Sequence, residues 1–155
     1  MAVRLHMPHF GLMNTEDSFK TAEGALLRAK LHIRAGKRRL RQGKISAGIL
    51  TLYDAFCFAM DWYAFPPERR KKLDIREGED LKKEKTLYEI LVRSGVLDGA
   101  FDFAAFDRLV EHASENEMPD YDHKKLLQEI ESVMTQLGVM PFDEAALPPE
   151  DPKTF

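Results

Sequence analysis

Residues 45–65 (ISAGILTLYDAFCFAMDWYAF) are apolar on nearly every side of a helix. Such a segment is either a membrane span or the centre of a bundle. Two acids interrupt it, Asp54 and Asp61, and their spacing of seven puts them on one helix edge. Each would cost about 2.5–3.5 kcal/mol inside a bilayer, and no second span follows. The segment therefore reads as a buried central helix. Upstream, Phe19, Ala22, Leu26, Ala29, Ile33, Gly36 and Leu40 recur at alternating steps of three and four. That pattern predicts a helix from Thr15 to Arg41 with a single apolar stripe for one partner helix. Asn14, followed by Glu16 and Asp17, supplies its start signal. Gly36 inside the stripe predicts a close helix approach, and Gly43 a C-terminal cap. The short turn Gln42-Gly43-Lys44 makes the two helices an antiparallel hairpin, with Ala47 and Gly48 small enough to let the backbones close in.

Three further helices follow by the same reasoning. Pro66-Pro67 stops the central helix, Glu68 to Ile75 reads as a short exposed helix, and Arg76 to Asp80 as the loosest loop in the middle of the chain. Leu81 to Ser94 forms a helix on Leu87, Ile90 and Leu91, with Tyr88 at the margin and Gly95 as cap. Asp102 caps a helix from Phe103 to Ser114, with Phe103, Phe106, Leu109, Val110 and Ala113 inward. Asp120 or Asp122 caps a helix from His123 to Leu137, with Leu126, Leu127, Ile130, Val133, Met134 and Leu137 inward and Gly138 at its end. No run alternates with period two. The expected class is all-α: a five-helix, up-and-down bundle with irregular arms at both ends.

The chain of 155 residues fits one domain: an arm over 1–13, the bundle over 14–138 and an acidic, proline-rich tail over 139–155. Phe142, Leu147 and Phe155 are candidates to pin that tail to the body or to another subunit. The single cysteine, Cys57, lies within the apolar helix, which excludes an internal disulfide and suits a reducing, cytoplasmic compartment. Arg4, His6, Pro8 and His9 break the opening run, so no signal-peptide core fits there. A net charge of −3 does not favour nucleic acid. The charge is uneven, however. Between Lys20 and Lys44 the bases face Glu23 alone, whereas acids dominate from Glu111 to Glu131 and return at Asp143, Glu144, Glu150 and Asp151.

Few constellations carry chemistry. Asp54 and Asp61, with Tyr53 beside them, are candidate ligand groups near a small-molecule or nucleotide pocket. At 1.5 Å per residue the acids stand about 10 Å apart, too far for a close dyad. The plainer reading is that each accepts hydrogen bonds from a base of the first helix or from a tyrosine. His6 and His9 form an HxxH in the arm, without the further close ligands that zinc wants and without the Glu-x-x-His pairs of a di-metal bundle. No metal or other cofactor is expected. His32 and His112 each follow an arginine, Arg28 and Arg108, by four residues, which reads as a surface polar pair. The basic run Arg34, Lys37, Arg38, Arg41 and Lys44 is the best binding feature, although a solvated helix face is the commoner meaning. No aromatic interleaves with it to stack on bases, which argues against nucleic acid.

The stretch Gln42-Gly43-Lys44-Ile45-Ser46-Ala47-Gly48-Ile49-Leu50-Thr51-Leu52-Tyr53-Asp54-Ala55-Phe56, after a long helix ending in bases, resembles the start of HEPN-like domains. Leu87 to Asp98, followed by Phe106-Asp107-Arg108-Leu109-Val110-Glu111-His112, is similar to the later half of that fold. The resemblance covers roughly residues 19 to 137. It implies a bundle of four to five helices, often dimeric, whose members are either ribonuclease toxins or non-catalytic partners of nucleotidyltransferases. In catalytic members an Arg and a His carry the reaction, and Arg108 and His112 are the matching candidates. Three residues separate them here and Leu109 follows the Arg, a shorter and less polar spacer than the catalytic pattern; Arg4 and His9 keep the gap but lie in the arm. The expectation is a non-enzymatic binding module acting through a protein partner or as a homodimer. Its alternatives are a metal-independent ribonuclease using Arg108 and His112, and small-ligand binding near Asp54 and Asp61.

Overall fold

The computed structural model describes residues 21–154, and every regular element among them is helical. In chain order these are α1 (Ala22–Arg41), α2 (Ile45–Ala64), the single turn α3 (Pro67–Arg70), α4 (Glu84–Arg93), α5 (Phe103–Glu115) and α6 (Lys124–Leu137). Two short 3-10 turns, Glu144–Ala146 and Pro152–Thr154, lie in the tail. The architecture is the helical bundle expected, built on an α1–α2 hairpin. No helix among the described residues is long and apolar enough to cross a membrane.

The hairpin makes the most extensive helix contact of the fold, and two glycines explain how closely it packs. A Cβ on Gly36 would stand 2.8 Å from Leu52 Cγ, and one on Gly48 would stand 2.7 Å from Leu40 Cδ2. Each glycine thus makes room for a leucine of the other helix. The intervening turn closes through Gly43, at φ 80°, a left-handed conformation that suits glycine. α2 is buried over most of its circumference. Its Phe56 is the hub of a ring cluster, with centroids 5.1 Å from Phe101, 5.3 Å from Phe103, 5.9 Å from Phe106 and 6.1 Å from Tyr88. Offset, tilted ring pairs of this kind add to the area they bury. α5 and α6 complete the enclosure with Phe103, Phe106, Ala113, Leu126, Ile130, Val133, Met134 and Leu137.

Several boundaries differ from the sequence reading. The start signal at Asn14 lies outside the described residues, but α1 does not run unbroken through position 21. Thr21 is extended, and its hydroxyl accepts from the Gly24 amide at 2.9 Å, capping a helix that opens at Ala22. The short exposed helix shrinks to one turn, Pro67–Arg70, because the chain then dips to bury Leu73. α4 begins at Glu84 rather than Leu81, since the Asp80 carboxylate accepts from the Lys82 amide at 2.9 Å and holds a turn there. Tyr88 is buried, not marginal. Its hydroxyl donates to the Phe101 carbonyl at 2.6 Å, and its ring stacks on Phe103 at 5.1 Å. The loop after α3 is tied down by Arg93, which forks onto Glu79 at 2.5 and 3.1 Å and reaches the Asp74 carboxylate at 3.4 Å. Asp102 caps α5 by accepting from the Ala105 amide, as expected, and Gly138 ends α6 at φ 86°.

Candidate functional site

α1 has two apolar stripes, where its spacing suggested one. The first meets α2. The second, Leu27, Leu31 and Ala35, forms a small separate cluster with Leu147 of the tail. A stripe on each side leaves little of the helix in water, so polar residues between the stripes are buried too. Arg28 is 3% exposed and His32 fully enclosed. They were expected as a surface pair, but both lie against Phe58. The Arg28 guanidinium is 5.8 Å from that ring's centroid and the His32 ring 5.4 Å from it, while His32 Nδ1 is 2.8 Å from the Arg28 carbonyl oxygen.

The basic residues of α1 sit beside this second stripe, and the acidic tail lies along them. From Gly138 the chain turns back through buried Val139 and runs parallel to α1. Lys30 is 5.6 Å from the centroid of the Phe142 ring. Arg34 donates to the main-chain carbonyls of Pro148 at 2.6 Å and Glu144 at 3.4 Å. Lys37 lies between two carboxylates, Glu144 at 3.4 Å and Glu131 of α6 at 3.5 Å. Arg38 donates to Glu150 at 2.9 Å, an ion pair whose side chains are 10% and 11% exposed, and its other arm reaches Gln42 at 2.9 Å. The Asp143 carboxylate accepts from the Ala145 amide at 3.0 Å and shapes the turn that presents Glu144.

Two of the predicted site residues, Arg34 and Arg38, are thus brought together with Lys37 of the same basic run and engaged by the chain's own tail. Arg41, one turn further on, is exposed and outside the contact. Arg39 points the other way and donates to Thr51 on α2. Burial is the main cause that lowers its pKa, followed by the charge of Arg38; Glu150 and Asp54 oppose the shift. Asp54 and Asp61 are half-buried on α2.

Tyr53 belongs to a different group. Its hydroxyl lies near Asp107 of α5, a residue the sequence did not single out. Burial, with help from Cys57, Asp107 and Glu84, pushes the Tyr53 hydroxyl far above its ordinary value. Burial likewise raises the Asp107 carboxyl, against the lowering pull of the nearby Tyr53 hydroxyl. The Tyr53 ring packs on Phe106 at 5.6 Å and Phe103 at 6.2 Å, so aromatic rings fill the α2–α5 interface beside it. Arg108 and His112 share an exposed face of α5. His112 has Asn116 at 3.3 Å as a polar neighbour. Glu111, Glu115, Glu117 and Asp120 surround that face in sequence and are also exposed. No group of three or more His, Cys, Asp or Glu among the described residues is poised to hold a metal ion. His6, His9 and Arg4 lie outside the described residues, as does Phe155.

The face missed at the level of sequence was Leu27, Leu31 and Ala35. Its signal was present, at i, i+4 and i+8, but nothing local indicates what covers it. Comparison with known families, curated proteins and solved structures finds no match to this chain.

Proposed function

We propose that the chain is a non-enzymatic, HEPN-like helical module that works by binding, through a protein partner or as a homodimer. The observation that carries the reading is the seat on α1. There a basic edge holds polypeptide by two main-chain carbonyls and two carboxylates. The close α1–α2 hairpin followed by the shorter helices α4, α5 and α6 supports the HEPN-like part of the reading. A cytoplasmic setting belongs to the proposal as well, since the lone cysteine, Cys57, is a buried free thiol.

The rival reading is a ribonuclease using Arg108 and His112. The contact of His112 with Asn116 supplies a further polar group on that face. Against it stand the exposed acids around that face, which repel a phosphate backbone. Two measurements decide. Light scattering of the purified chain is expected to report twice the 17.8 kDa chain mass, or a complex with a captured protein. Labelled RNA incubated with the chain is expected to stay intact. Cleavage that disappears in Arg108→Ala/His112→Ala would replace the binding reading with the catalytic one.

A further inference from the structure

The seat on α1 has more to it than charge. Leu147 is anchored among Leu27, Leu31 and Ala35, apart from the main core. Arg34 grips main-chain carbonyls on both sides of that anchor, at Glu144 and Pro148. Acids flank it, Glu144 on Lys37 and Glu150 on Arg38. A nucleic-acid backbone would satisfy the cations and leave the apolar stripe wet. A polypeptide segment with an apolar residue between two acids satisfies both.

We propose that this face of α1 is a receptor for an acidic segment of a partner protein, and that residues 142–150 are an intramolecular occupant that such a segment displaces. The pattern to be recognised is the one the tail itself carries, Glu144-Ala-Ala-Leu147-Pro-Pro-Glu150. This rests on the binding-module reading above and names its partner class. A tethered occupant on a short linker acts at an effective concentration on the order of millimolar. A free segment making the same contacts therefore competes poorly until the tail lets go, and whatever weakens the tail opens the site.

The test uses the full chain carrying Leu147→Asp and Glu150→Lys, which frees the tail while leaving the α1 face intact. The probe is a fluorescein-labelled synthetic peptide of the unaltered residues 140–155, titrated by anisotropy. The peptide is expected to bind this variant at least about tenfold more tightly than it binds the unaltered chain. Peptides carrying Leu147→Asp or Glu150→Lys are expected to lose at least about tenfold, and these altered peptides cannot disturb the folding of the receptor. Equal affinity for the two chains overturns the proposal. So does no binding to a variant of native helix content, or unchanged affinity of the altered peptides. Should the double variant lose its helix content, the Glu150→Gln chain is titrated with the same peptides and judged by the same outcomes. A labelled single-stranded RNA bound by the variant more tightly than the peptide would overturn the proposal in favour of nucleic acid. RNA cleavage dependent on Arg108 and His112 would remove the binding-module reading whatever the peptides do. Failure of the peptides alone would leave binding through another face standing.

Discussion

At the scale of single residues, the charged groups that matter are the ones with two or more partners. Arg93 is one: it holds Glu79 through both carboxylate oxygens and also bonds to the Asp74 carbonyl. Its fork, together with the Arg76 amide bond at 2.6 Å, holds the Glu79 carboxyl below its ordinary value of 4.5. A depressed carboxyl stabilises the fold above its unfolded pKa, and that contribution is lost as pH falls through the folded value. Asp107 has the opposite sign. Its raised carboxyl favours the fold below the ordinary 3.8, and the advantage is lost as pH rises through the folded value. Urea midpoints of the unaltered chain are therefore expected to drop between pH 6 and pH 3 partly through Glu79. Glu79→Gln should flatten that drop, and Asp107→Asn should steepen it. A Glu79→Gln profile parallel to that of the unaltered chain would show that the clamp contributes nothing to stability.

At the scale of elements, the hairpin is the feature on which the others depend, and its two glycines give a sharp expectation. Alanine at Gly36 or Gly48 gains about 0.5–1 kcal/mol of helix preference. It also places a carbon inside 3.0 Å of a branch carbon of Leu52 or Leu40, both buried. Overpacking of this kind costs about 1–3 kcal/mol, so each variant is expected to be less stable despite its better propensity. Gly36→Ala combined with Leu52→Val should recover part of the loss, as a double-mutant cycle would register. A Gly36→Ala chain with a raised urea midpoint would contradict the packing argument. The close approach at Gly36 was legible in the sequence, as were the caps at Asp102, Gly43, Gly95 and Gly138 and the inward faces of α5 and α6. These are local signals, read within a few residues. The start of α1 at Thr21 and of α4 at Glu84 was not legible, because Thr21 and Asp80 are only two among many polar residues able to form a cap or turn. Arg28 and His32 misled for a similar reason: charged pairs four apart are solvated on most helices, and only a second covered face changes that.

At the scale of the whole molecule, the part that escaped the sequence is the contact between ends. Arg34 and Glu144 are 110 positions apart, and no periodicity within α1 reveals that a tail will lie on its second stripe. The basic run and the acidic tail were each visible as partners for something, and each turns out to face the other. This layout makes the tail separable from the core in its energetics. Its own amides have few bonds: Ala146 and Leu147 bond back to Asp143 and Glu144 at 3.1 and 3.2 Å. Residues of α2, by contrast, sit at the centre of the main cluster. Hydrogen exchange is expected to show the 141–150 segment opening well below the global unfolding free energy, while the middle of α2 exchanges only by global unfolding. Glu150→Gln removes one partly buried charge-assisted bond, worth about 1–2 kcal/mol. It should speed exchange of the tail by roughly five- to thirtyfold and leave the slowest α2 amides nearly unchanged. Added salt should do the same more weakly, since it screens the Lys37 pairs, whose side chains are 24% to 42% exposed, better than it screens Arg38 with Glu150. If tail and α2 amides accelerate together, the strap opens only when the whole bundle does, and a partner has no separate state of the molecule to select.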